Sequence, residues 1–354
     1  MMMDQGRTPA HWAARSIQRP TKLTECYAGE EPIQIALINN MPDPALEDTE
    51  SQFLELLENA ASELAVQVKL YSLPNIPRSD HRKEHLRKFY CEWKDLWNSR
   101  FDGVIITGTE PHHADLREEP YWGALADVFT WGEERTASMV LSCLATHAAV
   151  LHGDGIGRHR LPDKQFGVFE EQNTCNHTLT CGTKEPMCFP HSRWNELRED
   201  ALASCGYTVL TKSTEAGVNL FVKKRKNALF VHFQGHPEYG AGTLAKEYRR
   251  DIKRFLRKER QTYPTMPHGY FDREAIKALT KFRNDVLSRQ EQDRHEGLMV
   301  EFPEAVMGNG SESPWHSAAI CIYRNWLQYV VSRRATRTVY TPAAPSRRAT
   351  NQLR

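Results

Sequence analysis

The chain is predicted to adopt an α/β fold: a mostly parallel sheet flanked by helices on both faces. Three observations carry that prediction. Short apolar runs at 33–38, 66–73, 101–108, 138–141 and 228–233 have the length and the polar borders of strands. Stretches with helical spacing of apolar residues separate the first four, and strands alternating with helices imply parallel pairing. Two of the runs end at Gly108 and Cys143, and in such sheets ligands bind outside the carboxyl ends of the strands.

The 354 residues suffice for one large domain or two smaller ones, and a formal net charge of +1 gives no sign of a nucleic-acid or anionic-membrane partner. No apolar run reaches membrane-spanning length, and no signal-peptide core stands near the N-terminus. The eight cysteines are scattered rather than arranged as a disulfide framework, so reduced thiols and a cytoplasmic location are expected.

Residues 1–31 are polar, carry Pro9 and Pro20, and are assigned to an N-terminal extension. The folded domain is placed at 32–331. Its first strand, 33–38, runs into Asn39, Asn40, Met41 and Pro42. Asp48, Thr49 and Glu50 then open a helix whose Phe53, Leu54, Leu56, Leu57 and Ala60 keep to one side. Residues 66–73 alternate as a second strand, 85–97 are expected to be helical, 101–108 form a third strand, and 121–131 a helix. The apolar 138–141 reads as a buried strand, and the Ala/Leu-rich 144–152 as a helix stopped by Gly153. Beyond it, 166–169, 177–180, 207–210, 218–222 and 228–233 read as short β segments. Amphipathic helices are expected at 243–259 and 274–290 and a last helix at 317–331, with a small-residue loop at 308–313. Residues 332–354 are basic and Pro/Ala/Thr-rich, the composition of a disordered tail.

The chemistry centres on Cys143. A residue between that strand and helix is presented on a sharp turn above the helix's first amides, which favour thiolate over thiol and can stabilise an oxyanion. This is the logic of a nucleophile elbow with cysteine in place of serine. Downstream, a strand ends at Gly235 and is followed by His236, Pro237 and Glu238. Pro237 keeps His236 extended, so residues two apart lie on one side and Glu238 can orient the ring. Nucleophile, base and orienter are thereby recognised by role. His147, one turn beyond Cys143, is the weaker candidate for the base. Glu110, His112, His113 and Asp115 are metal-ligand types, but no zinc-site spacing accompanies them and no metal is expected.

Further landmarks extend along the chain: Asn40-Met41-Pro42, Thr49 to Gln52, Phe101-Asp102-Gly103, Tyr121-Trp122, Lys164, Pro190-His191-Ser192-Arg193, Gly235 to Tyr239, Arg250 and Asn325-Trp326-Leu327. In this order they make residues 33–331 resemble the homoserine O-acyltransferases of the succinyltransferase type, built on the class I glutamine-amidotransferase (flavodoxin-like) fold. The resemblance implies an enzyme of methionine biosynthesis that uses acyl-CoA and homoserine and needs no cofactor. Cys143 would take the acyl group from the thioester, and His236, oriented by Glu238, would deprotonate the acceptor hydroxyl. Lys164, Ser192, Arg193 and Arg250 would bind substrate, arginine being suited to forked pairing with a carboxylate. His112 stands at the position that follows acyl-donor preference, Gly for succinyl and Glu for acetyl.

The chain departs from the family pattern between Pro42 and Thr49, where the connection is longer and lacks the family's lysine. Alternatives within the same chemistry are acetyl-CoA as donor or serine as acceptor. A glutamine amidotransferase or hydrolase is disfavoured because Ser142-Cys143-Leu144-Ala145 lacks flanking glycines, and a non-catalytic paralogue because Cys143, His236 and Glu238 are intact. The oligomeric state, monomer or homodimer, is left open.

Overall fold

A computed structural model describes residues 31–307 and 313–339. In chain order the elements are β1 (Ile33–Ile38), α1 (Leu46–Ala61), β2 (Val66–Tyr71), α2 (Asp80–Phe89), α3 (Asp95–Asn98), β3 (Gly103–Ile106), α4 (Trp122–Arg135), β4 (Ser138–Ser142) and α5 (Leu144–Asp154). There follow β5 (His159–Asn173), β6 (Met187–Glu196), α6 (Glu199–Ser204), β7 (Thr208–Val209), β8 (Thr211–Ser213), β9 (Gly217–Val218), β10 (Leu220–Arg225) and β11 (Ala228–Phe233). The last helices are α7 (Thr243–Leu256), α8 (Arg273–Ser288) and α9 (His316–Val339).

The main sheet has seven strands in the order β2-β1-β3-β4-β11-β10-β7. β2, β1, β3, β4 and β11 run parallel, and β10 is antiparallel to both of its neighbours. Two apolar layers cover it. One includes Phe53, Leu57, Tyr248, Trp326 and Leu327 from α1, α7 and α9, with Trp315 just before α9. The other includes Leu125, Val128, Phe129, Ala145 and Ala148 from α4 and α5. A mostly parallel sheet flanked by helices on both faces is therefore the fold, as the alternation of elements requires. A second, four-stranded antiparallel sheet, β6-β5-β8-β9, stands beside the carboxyl ends of β4 and β11.

Several local expectations are corrected. The stretch 85–97 is two helices, α2 and α3, because Tyr90 turns extended and its hydroxyl joins Asn39 and Glu50 while the Cys91 amide donates to the Leu70 carbonyl. Gly153 does not stop α5. It lies inside the helix, where a side chain would collide with the Arg225 guanidinium, and the left-handed Gly155 ends the helix instead. The stretch read as a strand at 177–180 is a turn of 3-10 helix at Thr178–Thr180, capped by His177, whose ring accepts the Leu179 amide at 3.2 Å. The reading at 218–222 is interrupted at Asn219, which separates β9 from β10. The strand β6 is additional to the expected set. α9 continues to Val339, past the boundary placed at 331. The extension at 1–30, residues 308–312 of the small-residue loop and the tail from 340 lie outside the described residues.

Candidate active site

β4 and β11 are parallel neighbours with Ser142 opposite Phe233, so the residues that leave each strand start side by side. Cys143 is the first residue beyond β4. Its φ of 52° and ψ of −113° are a conformation that L-residues rarely adopt, and its amide donates to the Phe233 carbonyl at 2.9 Å. Thr146 locks the turn: its hydroxyl donates to the carbonyls of Leu141 at 2.7 Å and Phe233 at 3.1 Å. The sulfur is thus lifted onto the first turn of α5, whose leading amides have no partner within the helix. Beside them runs the loop from β3. A Cβ on Gly108 would stand 3.1 Å from the Leu144 amide nitrogen, so glycine there keeps that donor open.

His236 and Glu238 arrive from β11. The His236 Nδ1 meets Glu238 Oε1 at 2.8 Å, and Ser142 Oγ donates to the same oxygen at 3.3 Å. The ring is buried and stacks on Tyr239 with centroids 4.1 Å apart. No geometric hydrogen bond occupies its Nε2, and the ring interacts with the Cys143 side chain, which favours its charged form. Burial pushes the His236 pKa down, but the Glu238 carboxylate and the Cys143 sulfur outweigh it and hold the ring well above the ordinary histidine value. His147 contrasts with it. Burial, then the charges of Arg193 and Arg158, lower it to about 3, and an imidazole held that low is a poor base.

The candidate binding residues gather around a carboxylate that sequence reasoning missed. Glu247 of α7 accepts from Tyr239 Oη at 2.5 Å and Ser192 Oγ at 2.5 Å, and it lies 3.4 Å from Lys164 Nζ and 3.7 Å from Arg250. Burial pushes its pKa up, but Lys164, Arg250 and the two hydroxyls bring it below the usual carboxylate range. Asp251, one turn on, pairs with Lys164 at 3.2 Å and Arg250 at 3.3 Å. Lys164, Ser192 and Arg250 are therefore brought together. The available signal was the i, i+3, i+4 spacing of Glu247, Arg250 and Asp251 on one helix face.

Arg193 is placed differently from the expectation. It is buried, and its guanidinium donates to the His191 ring at 3.3 Å, the Asn195 carbonyl at 2.9 Å and the Ala216 carbonyl. It serves the frame of the site, within electrostatic reach of Cys143. His191 in turn meets the buried Glu171, whose pKa burial raises to about 7 against the hydrogen bonds of Thr211 and Asn219. His112 is exposed on the Gly108 loop, and its amide donates to Glu119 Oε1 at 2.6 Å. The neighbouring acids point elsewhere, Glu110 to Arg254 at 3.1 Å and Asp115 to Arg117 at 2.7 Å. Where the family's lysine is absent, Arg78 donates to the Met41 carbonyl at 2.5 Å, and Asp48 pairs with Lys246 at 2.8 Å. Among the described residues no helix is long and apolar enough to cross a membrane.

Residues 26–337 match the model of the homoserine O-succinyltransferase family. The chain is 40% identical over 315 residues to a homoserine O-succinyltransferase of Rhodopseudomonas palustris, covering 89% of this chain and 93% of that one. It is 41% identical over 310 residues to the homoserine O-succinyltransferase of Methylorubrum extorquens, covering 86% and 91%. Among solved structures it is similar to a glutamine amidotransferase from Methylobacillus flagellatus, with a TM-score of 0.44 and 12% identity over 84% of this chain and 94% of that one. With that extent of match to the family model and to its relatives, the chain belongs to the homoserine O-succinyltransferase family.

Proposed function

We propose that the protein transfers a succinyl group from succinyl-CoA to the side-chain hydroxyl of L-homoserine, the activating step towards methionine. The observation that carries the proposal is the line Cys143, His236, Glu238, with open amides of α5 beside the sulfur. In the first half-reaction Cys143 Sγ bonds to the thioester carbon, and the oxyanion forms against the Leu144 amide. The carbon–sulfur bond to CoA then breaks, with the proton on His236 available to the departing thiolate. In the second half-reaction the homoserine hydroxyl gives its proton to His236 Nε2 and its oxygen bonds to the acyl carbon, releasing Cys143. Glu238 keeps Nδ1–H in place through both halves, so the reacting nitrogen is always Nε2. Positioned proton transfer of this kind is worth about 10²–10⁴-fold.

Lys164, Ser192 and Arg250, with Glu247 between them, supply both signs of charge where the acceptor's polar groups would sit. Arg193 braces His191 on the other face of β6, and His112 is assigned to the loop that borders the acyl group. Acyl-CoA is a substrate here, and no cofactor enters either step. Intact mass spectrometry of the protein with succinyl-CoA or acetyl-CoA alone tests the reading. A succinyl adduct on Cys143 that disappears when homoserine is added is expected. No adduct, or one mapped to another residue, would overturn it.

A further inference from the structure

We propose that the face formed by the exposed Trp194 and Arg160 and the half-buried Arg158 binds the nucleotide end of acyl-CoA, with the adenine on the indole and the phosphates on the guanidinium groups. The inference rests on the acyl-CoA reading above. Side chains alternate along β6: Arg193 turns inward, while Ser192 and Trp194 share the opposite face. Ser192 belongs to the Glu247 cluster, and Trp194 lies two residues further, about 7 Å along the strand. Trp194 is 36% exposed, an unusual placement for the largest aromatic side chain. The Arg160 guanidinium, from the paired strand β5, sits 4.4 Å from the indole centroid and stiffens that platform on one face.

Arg158 joins this rim to the Gly108 loop by donating to the carbonyls of His113 at 2.8 Å and Ala114 at 3.0 Å. Neither Arg158 nor Arg160 is in an ion pair among the described residues. The two acids within reach of Arg158 are already engaged, Asp115 by Arg117 and Glu119 by the amides of His112 and His113. Arg158 also reaches back towards the site, since the buried His147 in the first turn of α5 feels its charge. From the Gly108 loop outward, Arg158, Arg160 and a partly exposed aromatic ring therefore follow one another. That sequence matches a thioester whose far end carries phosphates and then a purine. Stacking of a base on an aromatic ring tolerates Trp or Phe but not Ala.

The test compares succinyl-CoA with S-succinyl-pantetheine, which keeps the thioester and arm but lacks the nucleotide. For Trp194→Ala and Arg160→Ala, the ratio of kcat/KM for succinyl-CoA over succinyl-pantetheine is expected to fall about ten-fold, through KM. Trp194→Phe should restore most of it. The KM for succinyl-CoA should rise with salt in the wild type and less steeply in Arg160→Ala. An unchanged ratio, whether both donors suffer equally or neither does, would overturn the inference while leaving the transferase reading intact. A wild-type protein that accepts neither donor would overturn the acyl-CoA reading and this inference with it.

Discussion

The side-chain oxygen of Asn219 accepts the Gly235 amide at 2.7 Å while its nitrogen donates to the buried Glu171 carboxylate at 3.0 Å. The Gly235 N–H can only donate, so the side chain of Asn219 must turn its oxygen towards it and cannot flip. The His236 amide is held from the other side by the Pro190 carbonyl at 2.8 Å. The backbone that delivers the histidine is thus fixed by the second sheet rather than by β11 alone. Asn219→Ala leaves the Gly235 amide unpartnered and removes a donor from Glu171. A loss of about 1–3 kcal/mol in urea unfolding is expected, together with a lower kcat at unchanged KM. Equal stability and equal kcat would show that the network does not support His236.

Cys143, proposed above as the nucleophile, is also a strained residue. Cys143→Ala should abolish both the acyl adduct and turnover while retaining the fold. Cys143→Gly should be equally inactive but more stable than the alanine variant by about 1 kcal/mol, because glycine accepts the positive φ without cost. Denaturant midpoints of the two variants measure the difference.

Gly108 faces the Leu144 amide across the gap where an oxyanion would sit. Gly108→Ala should lower kcat by about 10²–10³-fold, the usual effect of losing one such donor, with little change in melting temperature. Loss confined to KM would place the oxyanion elsewhere.

The raised pKa of His236 has a signed consequence for stability. Between the unfolded value of about 6.5 and its raised native value, the native state holds a proton that the unfolded chain has released. The contribution is complete below about pH 6.5 and is lost as pH climbs through the native value. His236→Asn lacks it, so its stability deficit against wild type should be larger near pH 6 than near pH 9. A deficit independent of pH would mean that the pair with Glu238 does not hold the proton.

His112 lies on a loop whose amides Glu119 grips, so a change of side chain should leave the loop in place. His112→Glu puts an anion where the succinyl carboxylate is proposed to lie. The ratio of specificity constants should move towards acetyl-CoA, read from steady-state rates with both donors. A fixed ratio would take His112 out of the donor pocket.

The parts of this protein that sequence reasoning reached are those determined over short distances. Cys143, His236 and Glu238 follow from one strand end, one helix start and one X-Pro dipeptide, so a few neighbouring residues specify them. β6 escaped because its inward positions near the site are His191 and Arg193, which invert the apolar-in, polar-out alternation that marks a strand. Those residues are interior only because Glu171 and Ala216 receive them, and these partners come from β5 and from the turn between β8 and β9. Glu247 escaped for a similar reason: on its own helix it looks like one acid on a charged face. Its role appears once α7 is laid over β5 and β6.

The position of α9 has a consequence for how the chain is made. Its Ala319, Ile322, Tyr323, Leu327 and Val330 are buried, Trp326 donates to Ser138 Oγ at 2.9 Å, and Trp315 just ahead of it donates to the Tyr239 carbonyl at 2.7 Å. The four strands β1 to β4 have left the ribosome once Ser142 has emerged, with α1 already made, yet the share of the cover that α9 supplies to that face arrives only with the last described helix. At roughly 5–20 residues per second that face waits on the order of ten seconds or longer, an apolar surface open to other nascent chains. Synthesis of this protein therefore includes an interval in which chaperone capture and aggregation compete, and it closes when Trp326 reaches Ser138.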